Sequence, residues 1–203
     1  MGRPSLARAR RRQIIDATVQ SMAMHGVGGT TLERVADLAE MSRGHVRHFA
    51  GNRDELLIDA ARVFFFGDAA LDQADLVVLA REAPLVSPDT DIDGALDYLF
   101  GEFAEPGNEN AAAFAFVDAG RTLRAIHDIV LEAYRTIERS LATILRRAHP
   151  TLSAVSADRL AYALFALASG NSYVNDLDPS PHRIRGARES AQAMIRALTL
   201  GPR

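Results

Sequence analysis

Along almost the whole chain apolar residues return three and four positions apart, and nowhere do Val, Ile and Thr alternate with polar residues over the length of a strand. That period aligns side chains on one face of an α-helix, so the sequence predicts an all-α fold. Breakers cut the pattern at Gly26-Val27-Gly28-Gly29, Ala50-Gly51, Ala83-Pro84 to Pro88, Glu105-Pro106-Gly107, Gly120, His149-Pro150 and Asp178-Pro179-Ser180-Pro181. About nine helices are expected between them. At 203 residues, 48% of them hydrophobic, the chain has material for one or two domains with a sizeable buried core.

The first helix is predicted over Leu6–His25, led by Arg8, Arg11 and Arg12, with Ile14, Ile15, Thr18, Val19 and Met22 on its buried face. The second opens at Thr30, the N-cap of a Thr-x-x-Glu capping box with Glu33, and buries Leu32, Val35, Ala36 and Ala39. Ser42 caps a third, short helix, Arg43–Phe49, whose apolar positions are Val46 and Phe49. Asn52 caps the fourth, with Glu55 three residues on, and the apolar pattern carries that helix through Leu57, Ala60, Ala61 and Phe64 toward Leu79. Two short helices joined by a few residues, behind a longer one, make a three-helix helix-turn-helix unit whose last helix enters the DNA major groove. Arg43, His45, Arg47 and His48 project donors from a segment with two core residues, and Gly44 leaves room for close approach to the duplex.

Charge is distributed to match. Residues 1–50 hold eight arginines against four acids, a balance of +4 within a total of −3, so a basic head precedes an acidic body. Such a head suits a phosphate surface, where each neutralised phosphate releases counterions. Lysine is absent, and all 23 basic side chains are arginine. Cysteine is absent too, which excludes disulfides, thiolate metal sites and thiol nucleophiles. There is no apolar run of about 18 residues and no secretory stretch behind the first arginines, so a cytoplasmic protein without a membrane partner is expected. No nucleophile motif, phosphate loop or His-Glu-x-x-His occurs; His45 and His48 lack a third ligand, and Asp54-Glu55, Asp89-Asp91-Asp93 and Asp176-Asp178 fit caps and turns. The expectation is a non-enzyme with no cofactor and no metal.

The stretch Gly28-Gly29-Thr30-Thr31-Leu32-Glu33-Arg34-Val35-Ala36-Asp37-Leu38-Ala39-Glu40-Met41-Ser42-Arg43-Gly44, followed by Asn52-Arg53-Asp54-Glu55-Leu56-Leu57, resembles the N-terminal domain of TetR/AcrR-type transcriptional regulators. Order and spacing agree without a gap. Two positions depart from the family pattern: Arg47 stands where a Tyr is usual, and the usual aromatic pair before the fourth helix is Phe49-Ala50. The resemblance implies a helix-turn-helix DNA-binding domain over 1–52 and a helical-bundle effector-binding and dimerisation domain over 53–203. By their chemistry, Arg43, His45 and Arg47 are assigned to base edges or flanking phosphates, and Thr31, His48, Asn52 and Arg53 to phosphates, with Gly44 at the contact. Arginine reads guanine bidentately, each good contact discriminating by roughly 1–3 kcal/mol. Arg3 to Arg12 is either a further minor-groove or phosphate contact or a solvated tail.

Further helices are predicted near Asp91–Ala104, Asn108–Ala119, Ile126–Ala148, Val155–Val174 and Arg183–Leu200, the clearest stripe being Ile126, Ile129, Val130, Ala133, Ile137, Leu141, Ile144 and Leu145. The aromatics concentrated in this region suit either a core or a pocket between helices. The resemblance implies the pocket, for which Phe64, Tyr98, Phe103, Phe114, Asp118 and Tyr134 are the candidate ligand-binding residues and a small, largely apolar molecule the effector. Small residues on the last two helices (Ala161, Ala168; Ala187, Ala191) permit close approach, either inside one chain or, as the resemblance implies, in a homodimer that reads a palindrome. The function implied is a ligand-responsive repressor that binds double-stranded operator DNA. An activator fits equally, and a helical ligand-binding or interaction module without sequence-specific DNA binding is the alternative.

Overall fold

The structure is a computed structural model and describes residues 6–199, so Arg3 and the expected helix end at Leu200 lie outside the described residues. Among the described residues there are ten α-helices and no strand: α1 (Leu6–Gly29), α2 (Leu32–Leu38), α3 (Arg43–Ala50), α4 (Arg53–Phe66), α5 (Leu76–Glu82), α6 (Ile92–Phe100), α7 (Asn108–Ala119), α8 (Arg124–Ala148), α9 (Ala154–Leu177) and α10 (Pro181–Thr199). The all-α expectation holds, with one helix more than the nine anticipated. The chain forms two compact units, Met1–Ala83 with Ala111–Ala133, and Pro84–Asn110 with Tyr134–Arg203.

The extra helix in the first unit comes from a break in the predicted fourth one. α4 stops at Gly67, whose φ of 67° is in the left-handed region, and a 3-10 turn over Gly67–Leu71 leads to the separate α5. The apolar spacing runs on past this point, but a residue in that backbone region cannot continue an α-helix, and glycine adopts it without a Cβ penalty. Gly26 does the same in α1: its φ of 64° interrupts the helix where the sequence predicts the end, just after His25.

Ile14 and Ala17 of α1 pack with Val35, Ala36 and Ala39 around α2, Val46 and Ala50 of α3, and Leu56 of α4, with Leu32, Leu38, Met41 and Phe49 closing over them. Each large aliphatic side chain buried in this way stabilises the fold by roughly 1.5–3 kcal/mol. Caps set the helix starts. Ser42 accepts the His45 amide at 3.2 Å, and Asn52 accepts those of Asp54 and Glu55 at 2.9 and 3.0 Å while Glu55 returns a bond to the Asn52 amide at 2.7 Å. The α2 cap is shifted by one residue from expectation. Thr31, not Thr30, accepts the Arg34 amide at 3.3 Å, while Thr30 is buried, donating to the Gly26 carbonyl at 2.9 Å and accepting from Ser21.

Three of the leading arginines are engaged within the chain. Arg11 pairs with Asp59 of α4, Arg12 with Asp16 at 2.8 Å and with Asp68, and Arg8 with Asp72 at 3.0 Å. Asp59 also pairs with Arg62. The start of α1 is thus tied by charge to α4 and the turn after it, which neutralises part of the basic head.

In the second unit, Leu96, Leu99 and Phe100 of α6 meet Ile137, Leu141, Ile144 and Leu145 of α8, Leu160, Leu164 and Ala168 of α9, and Ala191 and Ile195 of α10. Ala161, Ala168 and Ala191 are fully enclosed here and Ala187 packs against them, so the small residues serve close packing within the chain. Three buried polar side chains pin the α6–α7 connection to α9. Ser172 donates to the Asn110 side-chain oxygen at 2.8 Å, and Asn175 donates to the Ala104 carbonyl at 3.0 Å. Unpaired in this core, any of them would cost about 1–3 kcal/mol.

Candidate nucleic-acid interface

α3 is anchored by little. Of its eight residues only Val46 and Ala50 are buried, with Phe49 half-buried beside them, and Arg43, Gly44, His45, Arg47 and His48 are all exposed. The His48 ring meets Phe49 edge-on at 5.0 Å between centroids, and the His45 ring lies 6.4 Å from it. Gly44 is not required by the fold: a Cβ there would meet nothing nearer than the Ser42 hydroxyl at 3.9 Å. A helix with four cationic or imidazole side chains outward and two apolar ones inward is shaped by what it faces in solvent.

Thr31 and Asn52 stand at the first turns of α2 and α4, next to exposed backbone amides, with their oxygens engaged as caps. Arg53, assigned to a phosphate, is engaged within the chain. Its Nε donates to the Thr30 carbonyl at 2.7 Å, Nη2 to the Val27 carbonyl, and Nη1 faces Asp54 at 3.4 Å. The side chain braces the connection between α1 and α2. The periodicity of α4 gave no sign of this, because both partners lie more than twenty residues away.

Two residues outside the expected set of DNA contacts border the surface. Arg10, which bonds to Gln13 at 2.9 Å, lines a shallow groove with Met41, Ser42, His45 and Phe49. Glu33, expected to close a capping box, instead pairs with Arg43, its Oε1 2.7 Å from Nη1.

The candidate ligand residues divide between the units. In the second, the Tyr98 and Phe103 rings are 6.1 Å apart, and both Phe103 (5.9 Å) and Tyr134 (5.0 Å) meet Phe165, a residue missing from the expected set. Burial pushes the Tyr98 hydroxyl up to about 12, helped by the nearby carboxylates of Glu102 and Glu109, and burial raises Tyr134 as well. In the first unit, Phe64 packs on Phe65 and Phe116 at 5.0 and 5.3 Å, Phe114 is half-buried and Asp118 is exposed. No helix among the described residues is long and apolar enough to cross a membrane, and no cluster of metal-binding side chains is present among them.

Residues 14–60, which span α1 to the middle of α4, match the profile of the family described as bacterial regulatory proteins, tetR family. The HTH-type transcriptional regulator BetI of Burkholderia thailandensis is 50% identical over 48 residues, 24% of this chain and 25% of that protein. The match therefore spans about a quarter of the length of that relative. Over nearly the whole chain the fold is shared with solved structures. A transcriptional regulator from Pseudomonas aeruginosa PAO1 superposes with a TM-score of 0.72 at 21% identity, covering 95% of this chain and 91% of that one. SmeT in complex with triclosan superposes at 0.65 with 22% identity, covering 93% and 90%.

Proposed function

We propose that this chain, whose residues 14–60 are a tetR-family helix-turn-helix, is a transcriptional regulator that grips operator DNA through α3 and responds to a small molecule. The observation that carries the reading is α3 itself, capped by Ser42, held by Val46 and Ala50, and presenting Arg43, His45, Arg47 and His48 to solvent. Arg43, His45 and Arg47 read base edges or the adjoining phosphates. His48, Thr31 and Asn52 contact phosphates, the last two beside helix N-termini that favour anions. Arg53 contributes by bracing α2, on which the contact of Thr31 depends.

DNA binding belongs to residues 1–52, effector binding and dimerisation to 53–203. The triclosan complex of SmeT supports a small, largely apolar effector. Its contacts are drawn either from Tyr98, Phe103 and Tyr134 of the second unit, with Phe165 added because it joins two of them, or from Phe64, Phe114 and Asp118 of the first. A second copy is supported by the exposed Tyr162, Tyr173 and Leu177 of α9, an apolar row that the chain's own core leaves uncovered. Two recognition helices about 34–36 Å apart read a palindrome. The protein acts in the cytoplasm as a repressor that the effector releases.

Fluorescence anisotropy with duplex DNA from around the protein's own gene tests this. Salt-dependent, sequence-selective binding is expected, abolished by Arg43→Ala with Arg47→Ala while ligand binding persists. Binding with no sequence preference, or unaffected by both substitutions, overturns it.

A further inference from the structure

Arg43 opens α3, and Glu33 lies in the first turn of α2. The two side chains are 62% and 57% exposed, yet they meet at 2.7 Å through one guanidinium nitrogen, Nη1, and one carboxylate oxygen. Thr31 caps α2 without help, so the Glu33 carboxylate is not spent on the helix backbone. A carboxylate beside a DNA-binding surface repels phosphate.

We propose that Glu33 is a specificity-determining residue that positions Arg43. By holding Nη1 it turns the other edge of the guanidinium, Nε with Nη2, outward. That edge offers the paired donors that fit O6 and N7 of guanine. Glu33 also opposes the competing use of Arg43, a loose grip on the nearest phosphate, because a phosphate near the pair meets a carboxylate as well as a guanidinium. The pair therefore trades overall affinity for reading one guanine in each half-site. This rests on the DNA-binding reading above.

The test uses the full-length chain, a pool of randomised duplex DNA, and poly(dI–dC) as the unselective probe. Wild type is expected to enrich a motif with a guanine that Arg43→Gln renders neutral. Glu33→Gln should flatten the same position. It should tighten binding to poly(dI–dC) by roughly threefold and steepen the salt dependence by about one phosphate contact. The double variant should lose no more selectivity than Arg43→Gln alone, since both act through one contact. A Glu33→Gln motif identical to wild type, or flattened at another position, overturns the role of Glu33 and leaves the DNA-binding reading standing. Should wild type enrich no motif at all, both fail together. Circular dichroism of Glu33→Gln is expected to match wild type, which excludes misfolding as the cause.

Discussion

The Nε of Arg53, at the start of α4, lies 2.7 Å from the carbonyl oxygen of Thr30, so a side chain of the fourth helix closes the turn between the first two. Arg53→Ala strips two turn carbonyls of their donor. With the side chain 35% exposed, the expected loss is about 1 kcal/mol, the low end for bonds to a charged donor. Arg53→Lys recovers less than half of it, because an ammonium lacks the fork that reaches both carbonyls. Urea unfolding measures the difference, and an unchanged midpoint in Arg53→Ala would remove the bracing role.

Asp59 sits between Arg11 and Arg62 with only 14% of its side chain exposed. Asp59→Asn leaves two guanidinium groups without their shared carboxylate and is expected to destabilise by about 2 kcal/mol. Adding Arg11→Met relieves part of that deficit, and high salt narrows it. Equal unfolding midpoints for the single and double variants would mean that the pair does not hold α1 to α4.

Glu40, between α2 and α3, has a φ of 52°, the one positive φ among the described residues other than glycine. Glu40→Gly removes the Cβ penalty and returns some entropy to the unfolded chain, for a net gain of about 0.5–1 kcal/mol. The thermal midpoint should rise. A fall would show that the Glu40 side chain makes a contribution larger than its backbone strain.

Alkaline unfolding isolates Tyr98. The chain has no lysine or cysteine, so few side chains other than its four tyrosines change charge between pH 9 and 12. The folded state holds the Tyr98 proton to about 12, against an ordinary value of 10.0, so it binds protons more tightly than the unfolded state. This stability is fully present below pH 10 and is lost as pH rises from 10 through 12, by an amount on the order of 2–3 kcal/mol. Tyr134 adds to the loss in the same direction. Denaturant midpoints at both ends of that window should differ by less in Tyr98→Phe, and an undiminished difference would remove Tyr98 as its source.

What the sequence revealed was local. Ser42, and Asn52 with Glu55, are read from spacing alone because a cap involves residues two or three apart. Gly26 is likewise a stop that any neighbouring sequence would obey. The same reasoning missed Gly67, since Leu57, Ala60, Phe64 and Leu79 keep a helical step across it and the backbone turn leaves no trace in that step. It also missed the partners of Arg8, Arg11 and Arg12 that lie 48 to 64 residues away, and those of Arg53 and Glu33 on other elements. A charged side chain shows its type in the sequence and its partner only in the fold. The outward face of α3 was legible because its donors are recognised by residue type and by their spacing around Val46 and Phe49, whereas the one ion pair on that face, Arg43 with Glu33, was not.

That economy in α3 bears on how such a protein changes over time. Val46, Ala50 and the half-buried Phe49 keep the helix in place, while Arg43, Gly44, His45, Arg47 and His48 owe almost nothing to the core. Substitutions at those five positions fall within the range tolerated on an open surface, roughly ±0.5 kcal/mol. A new target sequence can therefore be acquired by drift or by library selection, one residue at a time, without the intermediates unfolding.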